Sequence, residues 1–186
     1  MANPEHREPL DKLDKISVIG YRIGIALFSL SSAWYCLAGF VELSWGSLSA
    51  NASFNPAFLF SLATALSAAN LHVYDKTIRG IITYSGWIGI VLLVALSSSE
   101  MIWCAYGFIF VTFSGIALKE SFCFNVFGLK LVPLILGLAT FFMAINYEWV
   151  VLGLLSINSI VFGYLAVQKM KMPLHFDIGN KSNYQY

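Results

Sequence analysis

A chain of 186 residues that is 58% hydrophobic and only 11% charged falls far below the roughly 25% charge of an ordinary soluble domain. Apolar runs longer than about 18 residues recur along it, the mark of membrane-crossing helices and not of one buried core helix. A net charge of +1 says little about partners, but the composition excludes a soluble globular domain. The expected fold is all-α, a polytopic transmembrane helical bundle.

Residues 1–15 form a polar tail with mixed charge (Glu5, Arg7, Glu8, Asp11, Lys12, Asp14, Lys15) and two prolines, Pro4 and Pro9. The run that follows is longer than the about 7–15 residues of a secretory apolar core. The Ala50-x-Ala52 pattern lies too far downstream to serve as its cleavage site, so the first helix is expected to stay. Span one covers Ser17 to Phe40. Arg22 lies within two turns of its start and is expected to snorkel to the headgroups. Gly20 and Gly24 make a GxxxG pair, a close-packing face.

Val41 to Asn55 is the longest connection and holds Glu42 and Trp45 but no Lys or Arg. Pro56 suits the first turn of span two, which runs to Val73. Its small residues Ala57, Ser61, Ala65 and Ala69 recur at i+4, a stripe expected to meet a neighbouring helix. After the polar turn His72, Asp75, Lys76 and Arg79 comes span three, Ile78 to Leu96. A tight hairpin at Ser97–Glu100 leads to span four, Met101 to Leu118. Span five runs from Leu129 to Ile145 with Pro133 near its start, Asn146–Glu148 is a second tight hairpin, and span six covers Trp149 to Val167. The domain boundaries are therefore a tail at 1–15, a six-helix membrane domain at 16–170 and a tail at 171–186.

The charges sort cleanly. Every Lys and Arg falls in or beside the tails, the second connection or the fourth, while the first, third and fifth carry only Glu42, Glu100 and Glu148. The positive-inside rule then puts both termini in the cytoplasm of an inner-membrane, multi-pass protein. Trp45, Trp103, Tyr147 and Trp149 lie at the outer ends, as an aromatic belt requires.

Gly115 to Pro133 crowds Lys119, Glu120, Cys123, Lys130 and three phenylalanines into one cytoplasmic connection. As a site, Lys119 and Glu120 would be a charge pair, Cys123 a nucleophile or redox thiol, and the phenylalanines interfacial anchors. As a plain loop, the phenylalanines dip into the headgroups and the lysines hold topology, which is the simpler account; a reactive Cys needs a lowered pKa. Cys36 and Cys104, each about a turn from the outer surface, could pair in an oxidising compartment, although buried free Cys is common. Thr112-Phe113-Ser114-Gly115 is similar to the Ser-Gly of rhomboid-type intramembrane proteases. Their serine needs a histidine on a later span, and the only later one, His175, lies in the tail. His6, His72 and His175 have no metal-ligand spacing. No metal, cofactor or nucleic-acid partner is implied; the bilayer is the expected partner, with a protein partner at the cytoplasmic connections.

No span centre carries an acid or base, which ion-coupled carriers generally need. Hydroxyls and amides remain, led by Asn158 with Ser156, Ser159 and Asn70, either interhelical hydrogen-bond groups or the lining of a path for a small uncharged solute. No catalytic motif stands out.

The string Lys119-Glu120-Ser121-Phe122-Cys123-Phe124, at the end of one span and before a span containing Pro133, resembles the signature of an uncharacterised bacterial and cyanobacterial family of small integral membrane proteins. The resemblance implies that Lys119, Glu120, Phe122, Cys123, Phe124 and Pro133 define the group. It implies no activity.

Overall fold

The computed structural model describes residues 9–45 and 55–185. Residues 1–8 with Arg7 and His6, the 46–54 part of the first connection with the Ala50-x-Ala52 pattern, and the side chain of Trp45 lie outside the described residues. Seven helices appear among the described residues: α1 (Lys12–Trp45), α2 (Pro56–Ala69), α3 (Lys76–Ala95), α4 (Ile102–Ser121), α5 (Val132–Ala144), α6 (Glu148–Lys171) and the four-residue α7 (His175–Ile178).

Local chemistry sets the helix starts. Asp11 and Asp14 cap α1 reciprocally, each carboxylate accepting the other's backbone N–H at 2.7 and 3.0 Å, a capping-box arrangement. Asn55 caps α2 through the Ala57 N–H, with Pro56 at the first position where its missing N–H costs nothing. Asp75 caps α3 by accepting from Ile78 N–H at 2.8 Å. α6 has Glu148 in its first turn and Lys169 and Lys171 in its last, the arrangement favoured by the helix dipole.

The helices pack as a sequential ring, each against the next and α6 back against α1, with α4 also touching α2. Neighbours are antiparallel, since Gly20 near the start of α1 faces Asn70 at the end of α2, and Gly39 near its end faces Leu152 early in α6. One end of the bundle therefore collects residues 9–15, the 70–75 turn, the 122–128 connection and the C-terminal segment. We call it the strapped end. The opposite end holds the 96–101 and 145–147 hairpins, the second turned by Asn146 at φ 56°, a left-handed conformation that Asn tolerates.

Four helices, α1, α3, α4 and α6, are long and apolar enough to cross a membrane. α2 and α5, with 14 and 13 residues, reach only about 20 Å at 1.5 Å per residue, short of the about 30 Å hydrocarbon core. A turn of 3-10 helix, Leu129–Leu131, lengthens α5 at its start. Overall this is an all-helical membrane bundle.

The centre is an aromatic block. Phe28 on α1 stacks on Phe113 of α4 with centroids 3.5 Å apart, and meets Phe60 of α2 and Phe162 of α6 edge-on at 5.7 and 4.8 Å. All four rings are fully buried. α1 and α2 approach closely where the GxxxG pair meets α2, and a Cβ on Gly24 would stand 2.9 Å from Ser67 N and 3.0 Å from Ala63 O. The buried stripe of α2 is Phe60, Ala63, Thr64, Ser67 and Ala68. It is not the expected Ala57–Ser61–Ala65–Ala69 row, whose last member is exposed. The reason is rotational: a helix buries alternating i+3 and i+4 positions, and a strict i+4 row drifts off the contact face.

Gly24→Val is expected to overpack the α1–α2 contact by about 1–3 kcal/mol and lower the melting temperature in detergent. Gly137→Ala and Gly153→Ala, where nothing stands within 4 Å of an added Cβ, are expected to leave it unchanged or raise it.

Candidate functional site

Ionisable groups from four segments converge at the strapped end. Tyr21 and Arg22 come from α1, Lys119 and Glu120 from the last turn of α4, Lys169 from the last turn of α6, and Asp177 from α7. Glu120 is 1% exposed, Lys169 3%, Arg22 4% and Asp177 8%. Charges at that depth survive only when paired and hydrogen-bonded, and each is. Glu120 Oε1 accepts from Tyr21 OH at 2.7 Å and faces Lys119 Nζ at 3.2 Å, while Oε2 faces Lys169 Nζ at 2.9 Å. Asp177 Oδ2 takes Arg22 Nε at 2.8 Å and Nη2 at 2.5 Å, and Oδ1 takes Lys169 Nζ. Arg22 also donates to the Met172 and Pro173 carbonyls at 2.7 and 3.0 Å. Arg22, expected to snorkel to the headgroups, turns inward instead, because Asp177 and the Met172 and Pro173 carbonyls match its planar fork of donors.

The C-terminal segment is held by this network and by a second set of contacts. Tyr74 OH accepts from Asn180 N–H at 2.9 Å, Gln185 N–H donates to Tyr74 O at 3.0 Å, and Arg79 donates to Gln185 O at 2.8 Å. Lys181 pairs with Asp14 at 2.5 Å. Gly179 sits at φ 66°, and a Cβ there would run into the Tyr74 hydroxyl. This position requires glycine twice over, for its backbone angle and for the ring against it.

Above the network lies a cavity of about 280 Å³ lined by Lys119, Glu120, Cys123, Lys169 and Asp177, with Phe122, Phe124, Phe176 and Met172 forming its apolar wall. Five of the six residues singled out in the 115–133 segment meet here. Pro133 does not; it lines an apolar groove between α4 and α5 with Trp103, Phe108 and Leu136. Phe122 and Phe127 are 73% and 96% exposed. Cys123 is exposed at the cavity edge, yet partial enclosure pushes its thiol up and the Glu120 carboxylate adds to this. Such a thiol is not an activated nucleophile.

The intramembrane polar residues do not converge. Asn158 donates to Ser32 Oγ at 3.1 Å, and Ser159 and Ser29 exchange hydroxyl-to-carbonyl bonds at 2.9 and 2.7 Å. Ser156 is exposed and bonds within its own helix, and Asn70 donates to Leu66 O at the end of α2. Asn158 Oδ1 is the buried atom left without a partner in this set. Cys36 and Cys104 are free, and Cys36 donates to the Leu152 carbonyl instead. Among the described residues no His, Cys, Asp or Glu cluster could hold a metal ion.

Residues 66–186, which carry Lys119, Glu120, Lys169 and Asp177, match the family described as "Uncharacterized integral membrane protein (DUF2301)". The chain belongs to that family. It is also similar to an "Uncharacterized protein" of Haemophilus influenzae, 34% identical over 194 residues that take in all of this chain and 99% of the relative. No solved structure matches the chain.

The sequence pointed to Lys119, Glu120, Phe122, Cys123 and Phe124 but not to Phe176 of the cavity wall, nor to Tyr21, Lys169 and Asp177 as partners. Arg22 inside a span was the available signal, since a charge there implies a counter-ion. Asp177 gave none, being one acid in a short polar tail.

Three substitutions probe this end of the protein. Asp177→Asn leaves Arg22 and Lys169 without their shared counter-ion, a loss of about 3–5 kcal/mol. Hydrogen exchange across residues 173–185 is expected to quicken at least about a hundred-fold, since about 1.4 kcal/mol is a factor of ten; Gly179→Ala should loosen the same stretch. His72, between α2 and α3, lies 3.1 Å from Ser17 Oγ, and burial, with Lys119 nearby, pushes its imidazole down to about 4. The folded state thus takes up this proton less readily than the unfolded chain, whose histidine titrates near 6.5. Stability is complete above about pH 6.5 and declines as pH falls toward 4. Melting curves should show a smaller acid decline in His72→Gln than in the parent, the difference lying in that window.

Proposed function

We propose that this is an inner-membrane protein of six crossings with both termini in the cytoplasm, serving a structural or assembly role by presenting its strapped end to a protein partner. The tails at 1–15 and 171–186 and the membrane domain at 16–170 divide on that reading. The observation that carries it is the construction of the strapped end. A buried ion network and a folded-back C-terminal segment hold one face rigid, and Phe122 and Phe127 project from it. Rigid aromatic anchors on a preorganised face are the chemistry of protein recognition.

The orientation draws on charge. Among the described residues every Lys and Arg belongs to the strapped half of the bundle, while Glu42, Glu100 and Glu148 belong to the other, as the positive-inside rule asks of a cytoplasmic face. For α2 to cross, the bilayer must thin around it, and for α5 flanking apolar residues such as Leu129 and Ile145 must extend it.

A solute path past Asn158 has less support, since the aromatic block fills the bundle centre and Asn158 is fully buried against Ser32. A membrane enzyme also has less. Lys119, Glu120 and Cys123 do share a cavity, but Glu120 is held by Tyr21 and two lysines and is poorly placed to move a proton.

The test has two parts. In a cysteine-free background, cysteines at Ser98 and Tyr147 should react with a membrane-impermeant maleimide in intact cells, and Cys123 restored alone only after permeabilisation. A photo-crosslinking residue in place of Phe127 should give one discrete protein adduct. The opposite labelling pattern would reverse the topology, and adducts to lipid alone would remove the assembly role.

A further inference from the structure

We infer that the cavity over the ion network is a binding site for the phosphate headgroup of an anionic phospholipid, with Lys119 as its charge partner. The inference rests on the reading that the strapped end lies at the cytoplasmic membrane surface.

Charge counting points to Lys119. Arg22 and Asp177 neutralise each other through the guanidinium fork, and Lys169 does the same for Glu120 while also touching Asp177. Three cations against two carboxylates leave one positive charge over. It belongs to Lys119, the least buried of the set, whose side chain is 22% exposed against 4–5% for Lys169 and Arg22. Its ammonium lies 4.5 Å from the Tyr21 ring centroid, 3.2 Å from Glu120 Oε1 and 3.4 Å from Tyr21 OH. The hydroxyl proton of Tyr21 goes to Glu120. Glu120 Oε1 and Tyr21 OH take two of its three ammonium donors, so Lys119 can still serve an anion at the cavity wall.

The cavity's other wall selects the class of anion. Phe122, Phe124, Phe176 and Met172 line it, and a free inorganic ion would gain nothing from them. An anion carrying methylene groups would. A volume of about 280 Å³ admits a headgroup phosphate with its first chain carbons, and Phe122 stands exposed beside it where acyl chains begin. His72 adds no opposing charge, and Glu120 and Asp177 are shielded by their own cations. Basic pockets on the cytoplasmic side of membrane helices bind anionic headgroups by this logic.

The experiment is native mass spectrometry of the purified full chain, released from nanodiscs of phosphatidylcholine with and without phosphatidylglycerol. The wild type is expected to keep one phosphatidylglycerol in preference to phosphatidylcholine. Lys119→Gln should lower that retention about five-fold, the worth of one lysine at an anionic surface, and Lys119→Arg should restore it. Lys171→Gln, an exposed lysine at the same end, should leave it unchanged. Equal retention by wild type and Lys119→Gln, or an equal loss in Lys171→Gln, would overturn the site. So would binding of inorganic phosphate without lipid. Circular-dichroism melts of each variant separate lost binding from lost fold. Maleimide labelling of the Ser98, Tyr147 and Cys123 single-cysteine proteins in intact cells separates failure of this site from failure of the topology beneath it.

Discussion

Two carboxylates buried among three cations govern how this bundle closes. Glu120 and Asp177 are too deep to be solvated, so neither can remain charged without the partners it has. Those partners come from both ends of the sequence, Tyr21 and Arg22 near the start and Lys169 near the end. Lys169 serves both acids and so makes the two sites one: displacing α7 uncovers Arg22 and Lys169 together, and tilting α6 takes from Glu120 the partner of its Oε2. Buried ion pairs add little net stability over well-packed apolar replacements. What they contribute here is position, because the Arg22 fork, already spending donors on the Met172 and Pro173 carbonyls, accepts Asp177 in a single place.

In a bilayer, lipid tails are as apolar as the helix faces, so helices do not gather for hydrophobic reasons. Other forces assemble this ring. Gly24 lets α1 settle against Ala63 and Ser67 of α2. Ser29 and Ser159 exchange hydroxyl-to-carbonyl bonds between α1 and α6, and Thr112 on α4 donates to the Ile82 carbonyl of α3 at 3.0 Å. Phe28 ties α1, α2, α4 and α6 together by ring contact. The same groups that make the bundle cohere place packed aromatic rings at its middle.

The architecture was legible in the sequence because its determinants are local. Apolar run length marks a membrane helix, Asn55-Pro56 and Asp75 mark starts, and acidic hairpins at Glu100 and Glu148 mark turns. The Lys119–Phe124 cluster was legible for the same reason, being six adjacent residues. What stayed hidden was long-range. Glu120 meets Tyr21 across 99 residues and Arg22 meets Asp177 across 155, and no spacing rule links such positions. The contact face of α2 was misplaced because several rows of that helix are rich in Ala and Ser, so only the neighbour decides which is buried. The C-terminal segment looked featureless since its order comes from Tyr74 and Arg79 on another turn, not from any periodicity of its own.

The family match begins at Leu66, which takes in α3 to α7 but leaves out α1 and most of α2. That region cannot stand as a physical unit by itself. Without α1, Phe110, Phe113 and Phe162 would surround an empty seat where Phe28 lies, and aromatic rings facing a void lose their dispersion partners. Asp177 Oδ2 would lose both guanidinium bonds and Glu120 its tyrosine. The relative in Haemophilus influenzae spans the whole chain, as that dependence requires. α1 is therefore part of the site: it fills the core at Phe28, and two turns earlier it supplies the groups that let two acids stay charged beneath the surface.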